Sequence, residues 1–190
     1  MSALDGELDG ATLEGLRRRD PHALAECFRT FGKRTYRLAR GILGQGADAE
    51  DATQEVFLRV REKAASFDGQ RSFAAWLRRL AVNHCLNRLE EKRRRDARVD
   101  LRDPDLVPVR SQADFETAES LERALATLPD EQRAVLVLRE IEGLTYREIA
   151  ESLSIPIGTV MSRLARARER LVLELGIVPS MEVNRASVRA

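Results

Sequence analysis

The stretch Asp96–Glu116, DARVDLRDPDLVPVRSQADFE, limits what this chain can fold into more than any other segment. It is charged, carries Pro104 and Pro108, and shows no sustained apolar period. A patternless run of roughly twenty residues is long for a loop inside one compact domain. It reads as a flexible linker, and the 190 residues then divide into two small domains.

Both sides of the linker are helical in pattern. Ala, Leu, Arg and Glu dominate, which are strong helix formers. Aromatics are only 5% of the chain, which disfavours a large sandwich or barrel. From Ala11 to about Arg95 the helical pattern breaks near Pro21, at Gly44-Gln45-Gly46 and at Phe67-Asp68-Gly69. Phe28, Phe31, Leu38, Ile42 and Leu43 recur at near-helical spacing and predict a buried face. Asp48-Ala49-Glu50-Asp51 opens a further helix, its acids suiting the positive end of the helix dipole. Ser72 can cap the next, with Phe73, Trp76, Leu77, Leu80 and Ala81 on one side as core. After the linker, Pro129 stops a short helix and Asp130-Glu131-Gln132 starts another. The fold expected is all-α, in five segments. These are a mobile N-terminus over 1–10, a domain over 11–95, the linker over 96–118, a domain over 119–176 and a patternless tail over 177–190.

Several function classes drop out. No run of about 18 uncharged apolar residues exists, and the acidic N-terminus is no signal peptide. Cys27 and Cys85 lack CxxC or Cys/His companions, so the expectation is a reduced, cytoplasmic chain without zinc or disulfides. His22 and His84 are equally isolated, and no phosphate-cradling or nucleophile motif occurs. No enzyme, cofactor, metal or small-molecule substrate is expected.

The segment LTYREIAESLSIPIGTVMSRLARARERL carries the most specific local signal. Thr145 and Glu148 form a capping box, and Ile149, Ala150 and Leu153 face inward. Pro156 breaks the helix, and a second begins near Gly158-Thr159 with Val160, Leu164, Ala167 and Leu171 as its buried stripe. This is a helix-turn-helix, whose second helix enters the DNA major groove. Thr159, Ser162, Arg163, Arg166, Arg168 and Arg170 stand on its other faces, where such side chains reach bases and phosphates.

A helix-turn-helix alone serves many regulators, and the first domain separates them. DAEDATQEVFLRVREK (Asp48–Lys63) and RSFAAWLRRLAVNHCLNRLEEKRRR (Arg71–Arg95) together resemble region 2 of bacterial sigma factors. LPDEQRAVLVLREIEGLTYREIAESLSIPIGTVMSRLARARERL resembles their region 4. With only a short linker between them, the chain looks like an extracytoplasmic-function sigma factor, over about four fifths of its length.

The resemblance implies roles. Asp48, Glu50, Asp51, Gln54 and Glu55 match the family surface that docks on the β′ clamp helices of RNA polymerase, where complementary charge sets register. The β flap is expected as the second polymerase contact. Asn83 and Asn87, four apart and so on one face, match positions near the melted minus-ten element. Their amides offer donors and an acceptor to an unstacked base. Arg88, Lys92, Arg93 and Arg94 follow as phosphate contacts. The turn Ala65–Ser72 occupies the family's base-pocket loop, and the linker would thread toward the polymerase cleft. Thr159, Ser162, Arg163, Arg166 and Arg168 would read the minus-thirty-five duplex. Met161 departs from the basic residue many relatives carry there, which puts base preference at that contact in question. An anti-sigma factor is the expected regulator. The competing readings are a polymerase-independent regulator, which predicts a sensing or dimerising domain, and a sigma-like decoy, which predicts lost DNA-facing residues.

Charge supports a partner-dependent binder. The 32 Lys plus Arg nearly cancel the 31 Asp plus Glu, leaving +1, but the signs are segregated. Acids gather at the N-terminus, at Asp48–Glu55 and in the linker, and bases at Arg88–Arg98 and Arg163–Arg170. Such a chain should bind DNA poorly until polymerase holds both basic patches in place.

Overall fold

A computed structural model describes residues 7–44, 46–100 and 118–176. It is all-α, with no strand among the described residues, as the composition and periodicity predict. The first half holds α1 (Gly10–Arg17), α2 (Pro21–Leu43), α3 (Gly46–Lys63), a 3-10 turn (Ala64–Ser66) and α4 (Phe73–Asp100). The second holds α5 (Ala118–Ala126), α6 (Asp130–Glu140), α7 (Tyr146–Leu153) and α8 (Ile157–Glu174). Residues 1–6, 101–117 and 177–190 lie outside the described residues, and with them most of the N-terminus, linker and tail assigned above.

Local chemistry sets the helix ends. Asp9 caps α1 through the Thr12 N–H at 2.7 Å. Asp20 caps α2, where Pro21 occupies a first-turn position that needs no N–H donor. Gly44 ends α2 at a φ of 81°, a conformation glycine adopts without steric penalty. Ser72 Oγ accepts from the Ala75 N–H at 3.2 Å, as expected of a cap. α4 runs on through Asp96 to Asp100, into the segment read as linker.

The core of the first half joins Cys27, Phe31, Leu38 and Ile42 of α2 to Ala49, Ala52, Val56 and Val60 of α3. Phe73, Leu77, Val82 and Cys85 of α4 complete it. Phe67, Phe73 and Trp76 form an aromatic cluster with ring centroids 5.3–5.8 Å apart, so Trp76 packs on the core as predicted. Phe28 departs from expectation: it is 47% exposed and turns its edge to Phe57 at 4.9 Å. It sits at the margin of the buried stripe, where one ring face stays wet. In the second half, Val135, Val137 and Leu138 of α6 pack on Ile149, Val160, Leu164 and Ala167.

The two halves touch, which the linker alone does not predict. A Cβ on Gly41 of α2 would meet the Val137 methyls of α6 at 3.0 Å and Ile141 at 3.2 Å. Ion pairs Arg34–Glu142, Arg71–Glu151 and Arg93–Asp130 flank that contact.

Candidate nucleic-acid interface

The helix-turn-helix is built as its sequence dictates. Thr145 Oγ1 accepts from the Glu148 N–H at 3.3 Å, while the Glu148 carboxylate accepts from the Thr145 N–H at 2.8 Å, closing the capping box. Ser154 ends α7 in the left-handed conformation at φ 56°, so the helix breaks over Ser154-Ile155-Pro156. Pro156 then caps α8, which begins at Ile157. Ile149 and Val160 are fully buried at the crossing.

Helix rotation of about 100° per residue sorts the polar side chains of α8. Thr159, Ser162, Arg163 and Arg166 share one face, and Ser162 Oγ donates to the Thr159 carbonyl at 3.1 Å. Arg163 reaches Glu131 at 3.2 Å, whereas exposed Arg166 has no ion pair among the described residues. Arg168 lies about 160° around the helix from Arg166, bonded to Glu140 at 2.8 Å. That hydrogen bond holds its pKa above the ordinary arginine value. Met161, 54% exposed, stands on the Arg168 flank. The structure thus brings together four of the five residues expected at the duplex and leaves Arg168 apart.

On α4 the expected set divides three ways. Asn83, Asn87 and Arg94 share an exposed face, with Arg94 paired to Glu90. Arg88 and Lys92 turn toward α3, where Arg88 meets Glu55 at 3.0 Å and Asp48 at 3.9 Å, and Lys92 meets Asp48 at 3.6 Å. Arg93 crosses to the second half and pairs with Asp130 at 2.7 Å. The four basic side chains expected at the minus-ten strand are thus each paired with an acid of the same chain.

The α3 acids divide correspondingly. Glu50, Asp51 and Gln54 are exposed on the outer face, while Asp48 and Glu55 sit at its edge against α4. Leu58, 49% exposed, lies among the outer residues. Sequence reading passed over it, although its place off the Ala52-Val56-Val60 stripe was a visible signal. A bare leucine between acids is what a mixed polar and apolar protein contact requires.

Between these faces lies His84, buried on α4. Its Nε2 lies 2.8 Å from Glu55 Oε2. Burial lowers its pKa first and Arg59 and Arg88 lower it further, against the opposing pull of Glu55. Burial likewise pushes the Cys27 and Cys85 thiols up to about 12, which suits inert core residues. No group of three or more metal-binding side chains occurs among the described residues. No helix there is long and apolar enough to cross a membrane.

Comparison with known proteins decides the family. Residues 27–95 match Sigma-70 region 2, and residues 118–171 match Sigma-70, region 4. The chain is similar to the ECF RNA polymerase sigma factor SigM of Mycobacterium tuberculosis, 39% identical over 173 residues, covering 90% of this chain and 85% of that protein. The chain belongs to the extracytoplasmic-function sigma factors. Its fold matches two solved complexes. CnrH, solved with the cytosolic domain of CnrY, superposes with a TM-score of 0.63 at 24% identity, over 87% of this chain and 96% of that one. The sigma factor RpoE of Bartonella quintana, solved with the anti-sigma factor NepR, gives 0.57 at 22% identity, over 88% and 93%. This sigma factor is thus an alternative transcription initiation factor. The first half is its region 2, and the helix-turn-helix half its region 4.

Proposed function

We propose that this sigma factor reads its promoters with two small polar faces. Asn83 and Asn87 bind an unstacked non-template base of the minus-ten element, with Arg94 on the adjoining phosphate. Thr159, Ser162, Arg163 and Arg166 read the minus-thirty-five duplex, where arginine pairs with guanine. Unpairing takes a few kcal/mol per extruded base, and region 2 offsets it by binding the open strand better than the duplex. Glu50, Asp51 and Gln54, with Leu58 among them, dock on the polymerase clamp. Arg88 and Lys92 join the phosphate contacts once Asp48 and Glu55 turn to polymerase. Arg168 serves α8 packing through Glu140 rather than the duplex face. The chain carries no catalysis of its own, acts in the cytoplasm, and is held inactive by an anti-sigma factor. The boundaries are region 2 over 11–95, linker over 96–118 and region 4 over 119–176.

The observation that carries this reading is the coincidence of exposed Asn83 and Asn87 in one half with exposed Ser162 and Arg166 in the other. Run-off transcription with core polymerase on a genomic fragment library tests it. Start sites that appear only with this chain are the expected result; their absence refutes the reading.

A further inference from the structure

The second helix of the helix-turn-helix has two unlike flanks. Val160, Leu164 and Ala167 are buried, and Leu171 continues their stripe. At about 100° per residue, the line facing away from that stripe runs through Gly158, Ser162, Ala165 and Glu169. Thr159 and Arg163 stand to one side of it. Met161 stands to the other, about 100° around the helix from Ser162, with Ile157 one turn before it.

The first flank is polar and the second apolar. Met161 is more than half exposed, and Ile157 and Ala165, four residues away on either side, are exposed with it. A single exposed apolar residue needs no explanation, but three at a spacing of four make one contiguous stripe. Arg168, the cation of that flank, is drawn off by Glu140 at 2.8 Å. Gly158 adds a second sign of an outside surface. A Cβ there would meet nothing within 4 Å, so internal packing does not ask for glycine, and the bare backbone can lie close to a neighbour.

Residues at the start of such a helix are the ones that reach base edges, and Met161 lies within the first two turns of α8. The edges of the major groove carry donors, acceptors and one apolar group, the C5 methyl of thymine. A basic side chain at this position would seek the O6 and N7 acceptors of guanine. A thioether donates nothing and accepts weakly. Set against guanine or cytosine, it would strip water from polar groups without replacing their hydrogen bonds. Set against a methyl, its unbranched and polarizable chain makes a favourable contact.

We propose that Met161, with Ala165 beside it, is a thymine reader: it packs on the C5 methyl of one thymine in the minus-thirty-five duplex, on the flank opposite Arg163. This rests on the duplex role proposed above for α8. The full chain, assembled with core polymerase, should be offered a pool of duplexes randomised across the minus-thirty-five element. Wild type should enrich thymine at a position where Met161→Gln does not. Replacing that thymine by uracil, which lacks only the methyl, should weaken wild-type binding about fourfold, as expected for one methyl returned to water. Met161→Gln should bind the two duplexes equally, and Met161→Leu should keep the preference for thymine. Met161→Arg should shift the preference toward guanine by about tenfold. Met161 is exposed, so the thermal melts of these variants should coincide with that of wild type. A wild type indifferent to uracil at every thymine, or a Met161→Gln variant that loses affinity with its thymine-to-uracil ratio unchanged, overturns the thymine reader. A pool in which no sequence is enriched overturns the duplex role and the thymine reader together, whereas enrichment without methyl dependence overturns the thymine reader alone.

Discussion

The two faces proposed to meet DNA are charged in different ways. On α8 the recognition face is nearly ready: Arg166 is exposed without an ion pair among the described residues, and only Arg163 leans on an acid, Glu131. On α4 each expected base is engaged, Arg88 and Lys92 by Asp48 and Glu55, Arg93 by Asp130 and Arg94 by Glu90. Duplex DNA exists before polymerase arrives, whereas a melted strand does not. A reader of duplex can be preset, while a reader of melted strand gains by staying neutral until docking exchanges its partners.

The largest effect should come from the preset face. Arg166→Ala removes the side chain proposed to read a base, and a bidentate contact contributes about 1–3 kcal/mol. Initiation at minus-thirty-five-dependent promoters should fall by about tenfold or more, with polymerase binding unchanged in a pull-down. Loss of polymerase binding would move Arg166 off the DNA face. Next comes Asn87→Ala, which removes the amide bonds proposed to an extruded base, each contributing about 1 kcal/mol. Permanganate footprinting should show open complexes reduced several-fold while the closed complex survives. Equal loss of both would merge the two regions into one duplex reader.

A smaller effect should follow from Asp48→Asn with Glu55→Gln. The free variant should bind a single-stranded minus-ten oligonucleotide a few-fold tighter than wild type, because exposed pairs are individually weak. The same variant should bind core polymerase less well. No gain in strand binding would show that these acids do not restrain Arg88 and Lys92.

The histidine between the two faces gives a pH signature. Its folded pKa is lowered, so the unfolded chain binds more protons below about pH 6.5. The stability it contributes is complete above that pH and is lost as pH falls toward the folded value. His84→Gln should therefore flatten the decline of urea midpoint between about pH 7 and 5. An unchanged slope would assign the acid sensitivity elsewhere. The smallest effect is at the turn of the helix-turn-helix. Ser154→Gly relieves a left-handed serine and should stabilise region 4 by up to about 1 kcal/mol. A thermal melt shifted up by a few degrees is the expected readout, and a downward shift would show that the Ser154 side chain stabilises the turn.

What the sequence made legible was local. The Thr145–Glu148 box, the Ser72 cap, the Gly44 stop and the Val160-Leu164-Ala167 stripe all depend on residues within a few positions of one another. The family motifs pointed to both proposed faces in the same way, by spacing on one helix. Pairings between distant residues stayed hidden. Nothing near Glu142 announces Arg34, and nothing near Arg93 announces Asp130. The basic run on α4 looked like a single patch because linear order does not report helix rotation. Rotation sends Arg88 and Lys92 to α3 and Arg93 to region 4, while Arg168 leaves the face of Arg166 for the same reason.

The exchange of partners proposed on α4 has a direct thermodynamic reading in salt dependence. Each phosphate neutralised on a single strand adds about 0.7 to the slope of log affinity against log salt. Binding of a fluorescent non-template minus-ten strand should be measured across salt for wild type and for Arg88→Ala with Lys92→Ala, free and with core polymerase. In the polymerase complex the double variant should lose about 1.4 from the slope, and in the free chain the two slopes should coincide. An equal loss in the free chain, or no loss with polymerase, would contradict the account.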